Sequence, residues 1–430
     1  MLMDRLIQSV LERLMNRMRE IETVKGPHLV YGYSLQRIAQ IAERAKHGTP
    51  VTEPYGSSRE VLTLDSLFFL PAMVDRFPVD EKSVSTETVV GPSARRPLIL
   101  QTPLMISAMS YTVSVTRRCK ICMARGSSMA GSATNSGDAG FCVAERRNAR
   151  KYVVQYNRGG YQNRPEQLRQ ADAIEIRFGQ GALAGMAETI EGEDMDEEMA
   201  AQLNVEPGQS ASRPFRHREL SSPEDLRGLV DNLRQVSEGV PVGVKFGAGR
   251  IEADLDRAVD AGVDFVTVDG SHGGTAGSYE TTINNTGVPI AYAIRRAALH
   301  LKRRGVDGKT SLIVCGGLRD SGDFAKALAL GADAVYSATS VLTALSYAQI
   351  PKLPPGTSPL ELYMNFGDFG DRLDVEEGSE AVGNFLSAST TEMAILTGAV
   401  GKTRVSDLCI EDLVATSDLA AAVTGVAKAW

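Results

Sequence analysis

From about residue 97 onward, short apolar or β-branched runs alternate with stretches of helical periodicity. The runs are Leu98–Ala108, Met129–Thr134, Tyr152–Gln155, Ala173–Phe178, Val242–Phe246, Phe265–Val268, Leu312–Val314 and Ala334–Ser337. Several of them, such as Phe265-Val266-Thr267-Val268, are almost continuously apolar, the pattern of strands covered on both faces. Between them, Glu224–Val236, Glu252–Ala261, Pro289–Arg304 and Ser321–Leu330 place apolar residues at helical spacing. Eight strands alternating with helices predict an α/β fold, a (β/α)8 TIM barrel. An open doubly wound sheet is the competing architecture, and no G-x-G-x-x-G after an early strand supports it.

The barrel pattern does not cover the whole chain. Ile7, Leu11, Leu14, Met18 and Ile21 give residues 1–25 an amphipathic helical spacing, which Gly26-Pro27 ends. Residues 46–62, with Gly48, Pro50, Pro54 and Gly56, read as a loop. The expected division is an N-terminal helical extension and loop over 1–60, then the barrel domain with a C-terminal helical segment over 61–430. A long charged insertion follows the fourth strand, over 179–222. In a barrel such an insertion lies at the C-terminal face of the strands, where lids form.

Composition narrows the function. The chain of 430 residues has no apolar run long enough to span a membrane. Its net charge of −7, with both signs interspersed, offers no basic footprint for nucleic acid. Mixed charge at the N-terminus is unlike a signal peptide. Five cysteines argue for a reducing compartment, and the expected location is the cytoplasm. Cys119-x-x-Cys122 falls in a helix-like stretch without further suitable ligands, so no metal is expected. Glycine is in excess, at 41 residues.

Many of those glycines follow predicted strands. Cys315-Gly316-Gly317-Leu318 follows the seventh strand, and Ala338-Thr339-Ser340 follows the eighth. Loops after strands 7 and 8 of a barrel form phosphate sites, because backbone N–H groups there can approach an anion unobstructed. Asp269-Gly270-Ser271-His272-Gly273-Gly274-Thr275 follows the sixth strand and could wrap a planar or phosphorylated ligand. Lys245 ends an apolar strand, where lysine is a poor core filler but a good partner for a phosphate or an electron-rich ring. Ser107-Ala108-Met109-Ser110 and Asn135-Ser136-Gly137-Asp138 follow the first two strands, and Gln155 ends the third with an amide able to bond a ring carbonyl.

With these residues the chain resembles the FMN-binding synthase domain of glutamate synthases. It is most similar to the stand-alone large subunit of methylamine–glutamate N-methyltransferases, from about Leu62 to Val426. Met129-Ala130-Gly131-Ser132-Ala133-Thr134-Asn135-Ser136-Gly137, Gly179-Gln180-Gly181-Ala182, His272-Gly273-Gly274-Thr275 and Lys326–Ala334 carry the likeness. The resemblance implies FMN as cofactor and redox chemistry on an amino acid, a 2-imino acid or a 2-oxo acid. It implies FMN contacts at Ala108, Met109, Ser110, Gln155, Lys245, Gly273, Gly274, Thr275, Gly316, Gly317, Ala338 and Thr339. It implies catalytic roles for Lys245, Ser110, Gln180 and Asp138.

The departures are specific. A family lysine is replaced by Leu183 and a family arginine by Gly160, with Arg158 out of register; a phosphate-side glycine is Ala338. Loss of both cations removes the expected clamp for two carboxylates, so plain 2-oxoglutarate is not the expected substrate. Val341–Pro355 holds no cluster cysteines, no cysteine follows Met1 and no amidohydrolase-like domain precedes the barrel. The expected partners are a small-molecule substrate, further copies of the chain in a homo-oligomer, and a separate protein supplying ammonia or electrons. The alternative is a non-catalytic barrel subunit of such a complex.

Overall fold

The eight barrel strands are short, and each spends its residues on two faces at once. In the computed structural model they are β1 (Leu104–Ile106), β2 (Thr134–Asn135), β3 (Tyr152–Tyr156), β4 (Ala173–Arg177), β5 (Val242–Gly247), β6 (Phe265–Asp269), β7 (Ser311–Cys315) and β8 (Ala334–Ser337). The structure describes residues 35–430 except 54, 55, 58, 182, 184, 187, 191, 193, 194, 196 and 276; the helix expected over 1–25 lies outside the described residues. The strands form one parallel sheet in the order β1-β8-β7-β6-β5-β4-β3-β2. The Ile106 N–H donates to the Ala133 carbonyl at 3.0 Å and joins the two ends, so the sheet is a barrel.

Outward residues such as Ile174, Ile176, Val244, Val266, Val268 and Leu312 belong to one large core with the surrounding helices. Inward residues Met105, Val153, Ala173, Phe265, Ile313, Ala334 and Tyr336 form a second cluster, joined by Val90, Leu98 and Leu100. The strands therefore read as nearly continuous apolar runs although their residues alternate in direction. Toward the C-terminal ends the inward positions change character, to Gln155, Glu175, Arg177, Lys245, Thr267 and Asp269, all buried.

Two strand boundaries differ from the expected ones. The run Leu98–Ala108 is divided. Leu98–Leu100 pairs antiparallel with Thr88–Val90, and only Leu104–Ile106 enters the barrel. Pro103, which has no N–H to donate to a ladder, lies between them, and the Thr102 hydroxyl accepts the Leu104 N–H at 3.1 Å. Met129 ends a helix, α1 (Arg117–Met129), rather than starting a strand. The helices α2 (Pro223–Val236), α3 (Ile251–Asp260), α4 (Ile290–Arg303) and α5 (Ser321–Ala329) lie where periodicity predicts them. After β8 come α6 (Thr339–Tyr347) and the long α7 (Val375–Ala399).

The segment before the barrel is tied to its mouth. Thr52–Glu53 pairs antiparallel with Ser278–Tyr279, and Arg44 bonds Glu280 at 2.5 Å. The insertion after β4 folds back as an antiparallel pair, Glu188–Ile190 with Ala211–Arg213. Among the described residues no helix is long and apolar enough to cross a membrane.

Candidate active site

A cavity of about 550 Å³ opens at the C-terminal ends of the strands, a size typical of small-molecule sites. The strand order sets its geography. Gly316, Gly317, Ala338 and Thr339 follow adjacent strands on one side, while Asp138, Arg177 and Arg213 come from the loop after β2, the end of β4 and the insertion on the other; all line the cavity. Ala108, Met109, Ser110, Gln180, Lys245, Gly273, Gly274 and Thr275 line it too, and so do residues 61–64 from the segment before the barrel.

Gln155 does not line it. Its amide donates to Glu175 at 2.7 Å inside the barrel. Glu175 also accepts from Asn135 at 3.2 Å and Thr267 at 2.7 Å. This fully buried carboxylate thus organises a polar layer under the cavity floor.

On the β7–β8 side the backbone is shaped for close approach. Gly316 and Gly317 have φ of +92° and +94°, and a Cβ on Gly316 would lie 2.4 Å from the Gly270 carbonyl oxygen. Only glycine holds that backbone. The first turn of α6 opens on the same wall, and its N–H groups have no partners within the helix. Arg319 is held beside them by Asp323 at 2.8 Å and Asp65 at 2.5 Å.

Lys245 rises from β5, buried, with Asp269 at 3.2 Å and the Tyr336 ring at 5.7 Å. Burial pulls the ammonium pKa down, but Cys315, Asp269 and Glu175 outweigh it and the net direction is up. The lysine is therefore a cation at any physiological pH. The Asp269 Oδ1 atom is buried without a hydrogen-bond partner among the described residues.

Opposite, the Ser110 hydroxyl donates to Asp138 at 2.9 Å, and the Asp138 N–H returns a bond to the same oxygen at 3.1 Å. Asp138 lies between two buried guanidinium groups, Arg177 and Arg213, and pairs with both. Burial is the main cause pulling both arginines below their ordinary pKa, Arg213 to about 10; Arg213 at least remains a cation at neutral pH.

Sequence reasoning missed both arginines. The signal for Arg177 was present, since a charged residue in an apolar strand is the argument that singled out Lys245. Arg213 had no such signal, because the fold of the insertion brings it to the cavity.

His217 supports Arg177 from behind. Its Nε2–H donates to the Arg177 carbonyl at 2.9 Å, and its ring stacks on Tyr156 at 5.7 Å. Burial depresses its pKa below 6.5. The unfolded chain then binds the proton more tightly, so this residue favours folding above pH ~6.5 and loses that contribution as pH falls through the folded pKa. The melting temperature should drop between pH 7.5 and 5.5, and by less in His217→Gln. Equal drops by thermal denaturation would contradict this.

The fold and cavity define a class: a (β/α)8 barrel with a polar cavity at the C-terminal ends of its strands. The chain belongs to the glutamate synthase family, because the family's conserved region matches residues 41–403. It is 32% identical over 409 residues to a glutamate synthase large subunit-like protein of Rhizobium meliloti (strain 1021), covering 90% of this chain and 92% of that one. It is 31% identical over 330 residues to the archaeal-type glutamate synthase [NADPH] of Thermotoga neapolitana, covering 76% of this chain and 64% of that one. The chain thus spans less than two thirds of the length of that relative. Among solved structures, an oxidized active mutant of (S)-mandelate dehydrogenase superposes with a TM-score of 0.51 at 16% identity, covering 81% of this chain and 88% of that one. That likeness is one of fold.

Proposed function

We propose that the chain is an FMN-dependent glutamate synthase-like enzyme acting on the carbon–nitrogen or carbonyl centre of a small amino, 2-imino or 2-oxo acid. The observation that carries the reading is the cavity's polarity. A backbone anion cradle lies on one side, a buried cation rises from the floor, and an acid-bearing wall stands opposite. The residues fit FMN. Gly316, Gly317 and the first turn of α6 would hold the phosphate, Gly273 and Gly274 leave room along one border, and Lys245 would meet the polar edge of the ring. Bound FMN would supply two-electron transfer.

The chain's own residues do the rest. Lys245 offers fixed positive charge where negative charge builds up, at no cost of reorganisation. Ser110 carries a hydroxyl proton held toward Asp138 at the cavity wall. Asp138, gripped by two guanidinium groups, serves as an acceptor and an orienting group. Arg177 and Arg213 can seat a carboxylate by charge-assisted hydrogen bonds. They change the meaning of Leu183 and Gly160: cations absent at those positions are present at others.

The finer reading is the large-subunit role of a methylamine–glutamate N-methyltransferase, with a separate protein supplying ammonia or electrons, in a cytoplasmic homo-oligomer. The resemblance of the motifs supports the role, and five free cysteines support a reducing compartment. The test uses protein loaded with FMN and reduced anaerobically. Mixing with a 2-oxo acid plus ammonia or methylamine should restore the oxidised flavin spectrum. Arg213→Met should weaken this response about tenfold or more at low substrate, the loss of one charged hydrogen bond. No reoxidation with any such acid would contradict the proposal. Full activity of the assembled complex with Lys245→Ala in this chain would favour the non-catalytic subunit instead.

A further inference from the structure

α1 carries a lysine on its buried side that the chemistry above does not use. Lys120 is wholly buried. Its Nζ lies 2.8 Å from the Met109 carbonyl, 3.0 Å from that of Asn135 and 3.3 Å from that of Ser136. A fourth oxygen, from the Glu145 carboxylate, is at 2.8 Å. Glu145 is fully buried as well, and accepts from Thr134 at 2.8 Å and Tyr152 at 3.1 Å. An ammonium has three donors, and here four oxygens surround it, an arrangement like a dehydrated cation in an oxygen cage.

An ion pair alone would need only Glu145. The three carbonyls are the informative part, because they belong to the loop after β1, the last residue of β2 and the loop that follows it. Met109 immediately precedes Ser110, and Ser136 lies two residues before Asp138. Those are the partners of the hydrogen-bonded pair on the cavity wall. The two loops touch closely there: a Cβ on Gly137 would lie 2.5 Å from the Ser110 nitrogen.

We propose that Lys120 is a positioning residue, an internal cation that pins the two loops together and so fixes the Ser110–Asp138 wall of the cavity. Its charge is needed in addition to its bulk, because three carbonyl dipoles pointed at one another repel without a cation between them. The part of the proposal that concerns cofactor affinity rests on the FMN reading of the cavity.

The test separates pinning from simple stability with two variants. Lys120→Met keeps the stem but strands Glu145 without its cation. Lys120→Met with Glu145→Gln removes both charges and leaves the carbonyls unpinned. Amide hydrogen exchange over residues 108–112 and 135–139, melting temperature and FMN affinity by fluorescence titration are measured on each. The single variant should melt lower and exchange faster in both loops. The double variant should recover most of the melting temperature, yet keep fast exchange there and bind FMN about tenfold more weakly than the native chain. Exchange and affinity recovering together with melting temperature would overturn the proposal, as would native exchange in the double variant. Should the native chain take up no FMN, the cofactor reading fails, and the exchange comparison still decides the pin.

Discussion

Gly316→Ala should yield a protein that has lost most of its affinity for FMN. The glycine has a φ of +92°, and the added methyl carbon would sit 2.4 Å from one backbone oxygen and 2.7 Å from the Asp269 carboxylate. Neither neighbour can swing aside, because Gly270 is backbone and Asp269 is paired with Lys245. The loop must shift, and the N–H groups that face the cavity shift with it. Strain of about 2–3 kcal/mol, charged wholly to the bound state, is a loss of about 30-fold to 150-fold in affinity. Fluorescence titration of FMN measures it. Gly228→Ala is the matched control: it lies in α2 with open space around it. It should leave FMN binding alone and stabilise the helix by about 0.5–1 kcal/mol. Equal affinity in the two variants would remove the β7–β8 loop from the cofactor site.

Lys245→Met should have the largest effect on chemistry. The lysine is the cation nearest Asp269, whose Oδ1 already has no hydrogen-bond partner among the described residues. Its loss leaves a carboxylate buried and uncompensated, a cost of about 3–5 kcal/mol to stability. In the loaded protein the flavin midpoint potential should move downward, because a cation favours the reduced, negatively charged form. Turnover should fall by about a hundredfold to a thousandfold, as when one preorganised charge-stabilising group is removed. Lys245→Arg should retain part of both, since the charge remains but the shape does not. A potential unchanged in Lys245→Met would show that the lysine does not face the flavin.

The architecture was legible because barrel strands advertise themselves. Eight runs and the helices between them stand in the sequence, and the errors fall where local chemistry overrides periodicity. Pro103 divides the first run, and Met129 lies at the end of a helix. The cavity lining was legible where a loop must be glycine-rich for backbone reasons, as at Gly316-Gly317. It was less legible where side-chain direction decides. Gln155 ends a strand beside the cavity, but its amide turns inward to Glu175. Arg177 could have been found by the reasoning that found Lys245. Arg213 and Lys120 could not, since neither lies near the cavity in sequence pattern. One arrives on an insertion strand, and the other reaches through from a helix.

Those late additions alter the view of the substrate side. On sequence alone, Leu183 and Gly160 remove two cations. In the folded chain, Arg177 and Arg213 line the cavity with Asp138 between them. Two arginines thus stand on the cavity wall, at positions other than 160 and 183.

The central claim is that the cavity is a flavin site. It is tested most directly by the visible absorption spectrum of the purified protein, before and after adding FMN and removing the excess, with mass identification of whatever denaturation releases. The account predicts oxidised-flavin bands and a released mass equal to that of FMN, at about one per chain. A colourless protein that stays colourless after exposure to FMN would contradict it.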